Sequence, residues 1–225
     1  MQPKPILYLV VLAAFAGLYS CQKEPSTSSL HDEYLVYTAC DQEADFTAIE
    51  TFYLPDSILL IGAGETDAAG NTVAKYWADE KALELIDVVA DKLSERGYER
   101  VLDGALRTEA DAGVQISYVE ETTYFSGYNN PYWWSYYPYY WPLDYWGSWW
   151  GGWYHTFSVY YGYTTGSLLT EMVDLTATEG RDAKLTVLWN SYVSGLLAPT
   201  VSIDLEEAEA GIIQAFEQSP YLKNN

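Results

Sequence analysis

A chain of 225 residues, 49% of them apolar, is long enough to close one hydrophobic core, and a single domain is the expectation. Its formal charge of −21, with Lys and Arg scattered instead of clustered, argues against nucleic acid as a partner. Phosphates would be repelled, and no basic groove is present to displace their counterions.

The first twenty residues, MQPKPILYLVVLAAFAGLYS, place one lysine, Lys4, ahead of an apolar run over residues 6–18. At about 13 residues the run falls short of the ~20 that a transmembrane helix needs. It suits the apolar region of a secretory signal. The run ends in Leu18-Tyr19-Ser20-Cys21, which resembles a bacterial lipobox, with Leu three positions before Cys and a small residue directly before it. Residues 1–20 are therefore expected to be a signal peptide, and Cys21 the lipidation site and mature N-terminus. An ordinary secreted protein, cut near Ser20 with Cys21 left as a thiol, is the competing reading. Burying acyl chains contributes ~0.8 kcal/mol per methylene, so two or three chains make the membrane a stable partner. Residues 22–32, QKEPSTSSLHD, are polar and read as a tether.

Cys40 is the only other cysteine, so a lipidated Cys21 leaves no disulfide and the fold must rest on its core. A nucleophilic thiol needs a base, and the two histidines are His31 in the tether and His155 beside an aromatic run. Cys40 is read as a buried, inert residue at a strand end.

Residues 33–222 are expected to form one domain. Residues 33–39 (EYLVYTA) read as a first strand, 41–46 as a turn, and 49–54 as a second strand stopped by Pro55. The alternating acids Asp41, Glu43 and Asp45 invite a calcium-loop reading. It fails because Phe46 stands where the loop needs Gly and Phe52 where it needs the bidentate Glu. Residues 57–71 run from an apolar strand into Gly62-Ala63-Gly64. Asp67 replaces the third glycine of a dinucleotide fingerprint and Glu65 adds charge against a phosphate, so a flexible loop is expected.

Over residues 74–96, Ala78, Ala82, Leu85, Ile86, Val89 and Leu93 recur at three- and four-residue spacing, the stripe of an amphipathic helix stopped by Gly97. Residues 98–102 read as a short strand. Residues 113–124 read as a strand with one wet face, because Val114, Ile116 and Tyr118 alternate with Gln115 and Ser117. Residues 167–176 and 184–193 form the clearest hairpin. Asp204 with Glu207 makes a capping box for a last helix whose stripe is Leu205, Ala208, Ile212, Ile213 and Phe216, ended by Ser219-Pro220.

Between these elements, residues 124–163 hold seven of the nine tryptophans, interleaved with Pro, Gly and Asn at a density that no single helix or strand could bury. The candidate binding residues are Trp133, Trp134, Tyr136, Tyr137, Tyr139, Tyr140, Trp141, Trp146, Trp149, Trp150 and Trp153. Such rings offer stiff amphipathic area for a protein, glycan or membrane-interface partner. The competing reading folds the segment back over the sheet as the second half of the core. Exposed, the cluster would far exceed the few hundred Å2 of apolar patch that monomers tolerate.

Asp45-Phe46, Gly97-Tyr98, the aromatic loop over residues 128–154, Gly166-Ser167-Leu168 with Asp174, Leu188-Trp189 and Ser219-Pro220-Tyr221, behind a lipidation signal, resemble the pattern of the domain-of-unknown-function 4136 lipoproteins. Asn190 and Ser191 stand where the family usually has a Gly, and the aromatic loop is longer than the pattern needs. The resemblance implies an α+β fold. It would be a two-layer sandwich of a mostly antiparallel sheet with helices packed on one face and a long aromatic-rich insertion at about residues 126–156. It also implies a place in the cell envelope, at the outer membrane on its periplasmic or surface face. It implies no reaction and no cofactor. Glu120 with Glu121, or Glu109 with Asp111, could serve as paired carboxylates, but 32 acids make such pairs commonplace. No nucleophile elbow, zinc motif or phosphate loop occurs. The expected role is an interaction or structural module, with glycan or peptidoglycan binding as the alternative and, behind it, an envelope hydrolase.

Overall fold

The computed structural model describes residues 35–66, 72–103, 109–119, 153–155, 166–176, 185–196 and 203–224. They belong to one compact unit, Tyr34–Asn225. Nine strands make one sheet: β1 (Leu35–Cys40), β2 (Thr51–Tyr53), β3 (Ile58–Thr66), β4 (Thr72–Trp77), β5 (Glu99–Val101), β6 (Ala112–Val119), β7 (Trp153–His155), β8 (Ser167–Asp174) and β9 (Leu185–Ser194). A single 3-10 turn, Phe46–Ala48, and two α-helices, α1 (Glu80–Ser94) and α2 (Leu205–Glu217), complete the described elements. The fold is α+β, as the family pattern implied.

The middle of the sheet is antiparallel, β6 against β8 and β8 against β9. The β8–β9 pair is the expected hairpin, with one irregularity. Met172 pairs with Trp189 while Val173 pairs with Val187, so Leu188 is an extra residue in the ladder, a β-bulge. Its carbonyl accepts the Asp41 N–H at 2.8 Å. Each flank is a composite of two short strands. On the β6 side, β2 pairs in parallel with Ala112 and Gly113 while β3 pairs in parallel with residues 117–119, with β5 and β4 beyond them. On the β9 side, β7 pairs in parallel with residues 185–187 while β1 pairs antiparallel with residues 189–194. The long ladders are antiparallel and the parallel ones span two or three residues.

Both helices lie on one face. Ala82, Leu85, Ile86, Val89 and Leu93 of α1, with Ala208, Ile212 and Phe216 of α2, pack against Val114, Ile116, Leu168, Met172, Trp189 and Val193. Asp79 caps α1 by accepting the Ala82 N–H at 3.1 Å, and Asp204 caps α2 by accepting the Glu207 N–H at 3.2 Å. At the end of α1 the Tyr98 N–H reaches the Leu93 carbonyl and the Gly97 N–H the Ser94 carbonyl, with Gly97 at φ 92. This is the Schellman arrangement that a left-handed glycine permits.

Three expectations change. The helix begins at Glu80 and not near residue 74, because Thr72, Val73, Tyr76 and Trp77 are β-branched and aromatic and form β4. The flexible loop over residues 57–71 is replaced as far as Thr66 by β3, which runs through Gly62 and Gly64 with a register shift between Leu60 and Glu65. In α2, Ile213 points outward, and Gly211 and Ala215 join the buried stripe. Gly211 sits so near β9 that a Cβ there would run into the Val193 side chain.

Candidate functional site

Of the candidate binding residues, Trp133, Trp134, Tyr136, Tyr137, Tyr139, Tyr140, Trp141, Trp146, Trp149 and Trp150 lie outside the described residues, as does Cys21. Trp153 opens β7, whose pairing with the start of β9 anchors the far end of the aromatic segment to the sheet.

The face of the sheet opposite the helices is where the described structure departs most from an ordinary two-layer fold. Its side chains alternate with the helix-facing ones: Gln115 and Ser117 from β6, Leu169, Glu171 and Val173 from β8, Val187, Asn190 and Tyr192 from β9. All are exposed by 2% or less. The expected wet face of β6 is dry. Gln115 pairs in register with Glu171, and Glu171 with Asn190, so an amide, a carboxyl and a second amide lie side by side across the three central strands. Gln115 Nε2 donates to the Ile116 carbonyl at 2.7 Å, and Ser167 Oγ lies 3.0 Å from Tyr192 Oη. Gln115 Oε1 and Ser117 Oγ are buried with no hydrogen-bonding partner among the described residues. Buried polar atoms are costly in that state, on the order of 1–3 kcal/mol each. Alternation along β6 suggested polarity here but gave no sign of burial.

The acids Asp41, Glu43 and Asp45 line a second concavity of about 320 Å3 together with Asp174, Thr176, Thr186 and the bulged Leu188. Three of its four carboxylates, those of Asp41, Asp45 and Asp174, are committed to local turns. Asp41 Oδ1 accepts the Glu43 N–H, Asp45 Oδ1 accepts the Thr47 hydroxyl at 2.7 Å and its N–H at 3.1 Å, and Asp174 Oδ1 accepts the corresponding pair from Thr176. The Thr47 hydroxyl bond holds the Asp45 carboxyl below its usual range. No group of three metal-ligating side chains occurs among the described residues. The concavity is an acidic turn without a built ligand set.

Two residues considered for chemistry have structural surroundings. Asp111 Oδ2 accepts the Glu50 N–H, the Thr51 N–H and the Thr51 hydroxyl at 2.9–3.0 Å, tying the loop before β6 to β2. Cys40 ends β1 as expected but is half-buried, not buried, with Gln42 Nε2 at 3.4 Å from Sγ. Tyr221 neighbours it, and burial pushes the phenol up to about 12.

Residues 36–221 match the family described as a domain of unknown function, DUF4136. The fold is similar to that of a DUF4136 family protein from Bacteroides thetaiotaomicron, with 41% sequence identity and a TM-score of 0.71, covering 85% of this chain and 98% of that one. A PelC dodecamer from Paraburkholderia phytofirmans also matches, at 13% identity and a TM-score of 0.38, over 86% of this chain and 100% of that one. That likeness is too distant to bear on function. No curated protein matches the chain. With the pairing of its strands, the two capped helices and the match over residues 36–221 all in agreement, the chain belongs to the DUF4136 family.

Proposed function

We propose that this protein is a lipid-anchored module of the bacterial cell envelope, held at the outer membrane through Cys21, and that it works by contact instead of catalysis. The observation that carries the reading is Leu18-Tyr19-Ser20-Cys21 directly after an apolar run too short to span a bilayer. No described helix is long and apolar enough to cross a membrane. An acylated Cys21 supplies that attachment by another route. The fourteen-residue step from Cys21 to Leu35 allows the domain a reach of at most about 50 Å from the anchor. A chain of formal charge −21 with scattered Lys and Arg offers no polybasic segment to draw it to anionic lipid, so the attachment rests on the acyl chains. The Tyr and Trp residues of the central segment are the part of the chain chemically suited to touching a protein or a glycan, since they carry neither Lys nor Arg and combine flat apolar area with hydrogen-bonding tips.

The test is metabolic labelling of producing cells with a clickable fatty acid, together with membrane fractionation. The wild-type chain takes up label and sediments with membranes, and Cys21→Ser does neither. A Cys21→Ser chain that remains labelled or membrane-bound overturns the anchor. Binding of the soluble Cys21→Ser chain to peptidoglycan sacculi, compared with cross-linking to envelope proteins, separates the glycan alternative from a protein partner.

A further inference from the structure

We infer that the buried polar row on the helix-free face of the sheet is a binding site for a hard cation, sodium in the first instance, held by side-chain oxygens of Gln115, Ser117, Glu171 and Asn190. The site is independent of the anchor at Cys21 and of the aromatic segment.

Strand register brings the four together. Gln115 of β6 stands opposite Glu171 of β8, and Glu171 opposite Asn190 of β9, so three polar side chains share one level of three adjacent strands. Ser117 follows Gln115 on β6 at the next position of the same face. All four residues are 0% exposed. Neighbouring strands lie ~4.8 Å apart, about twice the ~2.4 Å at which an oxygen ligates calcium, an ion close to sodium in size. An ion midway between two strands is therefore within reach of side chains from both.

Two of these side chains call for an occupant. Gln115 Nε2 donates to the Ile116 carbonyl at 2.7 Å, which engages the nitrogen end of the amide, yet Oε1 is buried with no hydrogen-bond partner among the described residues. Ser117 Oγ is in the same condition. Buried polar side-chain atoms are paired in the large majority of cases, and two exceptions so close on one strand point to one ligand that serves both.

The donor set selects that ligand. A water could donate to both oxygens, but Glu171 adds a carboxylate, toward which a cation gains a charge attraction that a water lacks. Amide, hydroxyl and carboxylate oxygens, with no nitrogen or sulfur among them, suit a hard ion instead of zinc or copper. One carboxylate balances one positive charge, so a monovalent ion leaves no buried excess. Asp, Glu, His and Cys do not gather in threes among the described residues, and this set falls outside that pattern because amides and a hydroxyl supply most of its oxygens.

Thermal unfolding of the purified full chain in choline chloride, with choline replaced stepwise by sodium, potassium, magnesium or calcium at fixed ionic strength, tests this. Ionic strength is held constant because a chain of charge −21 gains from screening by any salt. Sodium is expected to raise Tm along a saturating curve, by roughly 3–6 °C once it exceeds its dissociation constant about tenfold. Glu171→Gln, similar in size and still able to hydrogen-bond, should lose that response, and Ser117→Ala should need several-fold more sodium for half of the rise. A saturating response to calcium instead, also lost in Glu171→Gln, supports the site and names the divalent ion as its occupant. The proposal is overturned if Tm is the same in every cation, the result expected of a buried water or of a protonated Glu171. It is also overturned if Glu171→Gln responds as the native chain does, which would place the ions on the acidic surface. Should Glu171→Gln fail to fold, Ser117→Ala decides, and an unmoved sodium midpoint there overturns the proposal.

Discussion

Arg96, just beyond α1, reaches across to the last turn of α2, where its Nη2 donates to the Phe216 carbonyl at 2.8 Å and its guanidinium lies 4.8 Å over the ring of the same residue. Nη1 donates to the Lys92 carbonyl at 3.2 Å, and the Phe216 ring continues to Trp189, 5.3 Å away between centroids. One side chain thus closes the C-terminal ends of both helices against the sheet. Partial burial lowers the Arg96 pKa, but the guanidinium remains charged at any pH the fold survives.

Replacing Arg96 with Ala removes a charge-assisted bond to a helix-terminal carbonyl and a stacked cation, and should cost about 2 kcal/mol in urea unfolding. Arg96→Lys should recover less than half of that, because an ammonium cannot serve both carbonyls and the ring from one position. Equal stability of Arg96→Ala and the native chain would show that the contact contributes nothing.

Asp111→Ala strands three donors, the Glu50 and Thr51 N–H groups and the Thr51 hydroxyl. A loss of about 2–3 kcal/mol is expected from chemical denaturation, with hydrogen exchange accelerating in β2 before the rest of the sheet. Asp111→Asn, which keeps an acceptor oxygen, should lose less.

Gly211→Ala sets two effects against each other. Alanine gains ~1 kcal/mol of helix propensity over glycine, while the added methyl group runs into Val193, and overpacking costs ~1–3 kcal/mol. The net expectation is destabilisation of about 1 kcal/mol, readable as a lower Tm. Combining it with Val193→Ala should relieve the clash, so the double variant's loss should be smaller than the sum of the two single losses.

Glu209 on α2 is held above its usual pKa, first by partial desolvation and then by the neighbouring Glu84 of α1 and Glu206. A carboxyl whose folded-state pKa is raised favours the fold while protonated and loses that contribution as pH rises through the folded value. Glu209→Gln should therefore raise Tm at neutral pH, and the difference should vanish below about pH 4, where the native carboxyl is protonated too. A Tm difference that is unchanged across that range would contradict the assignment.

The sequence made both helices legible because their stripes are local: Leu85, Ile86, Val89 and Leu93, or Ala208, Ile212 and Phe216, repeat within a single element. Asp204 was readable as a cap for the same reason. β4 was not, since Thr72–Trp77 directly precedes Asp79 and its apolar residues merge with the helical period. The polar row was hidden more deeply. Gln115 and Ser117 alternate with Val114 and Ile116 as they would on a strand facing water, and only the three-dimensional placement of Glu171 and Asn190 beside them shows a dry interior. Pattern reports which residues share a face, whereas what lies on that face is settled by segments far away in the chain. The candidate rings were visible by composition alone, and composition carries no information about which way they turn.

The composite flanks of the sheet bear on how such a protein behaves when many copies are crowded together. Each rim consists of a six-residue and a three-residue strand, β4 with β5 on one side and β1 with β7 on the other, so among the described residues neither rim has a long straight row of free amides and carbonyls. Crowded neighbours find no long template among these rims on which to add strand to strand and polymerise. Division of the rims thereby favours discrete molecules at concentrations where an unbroken edge would seed fibres.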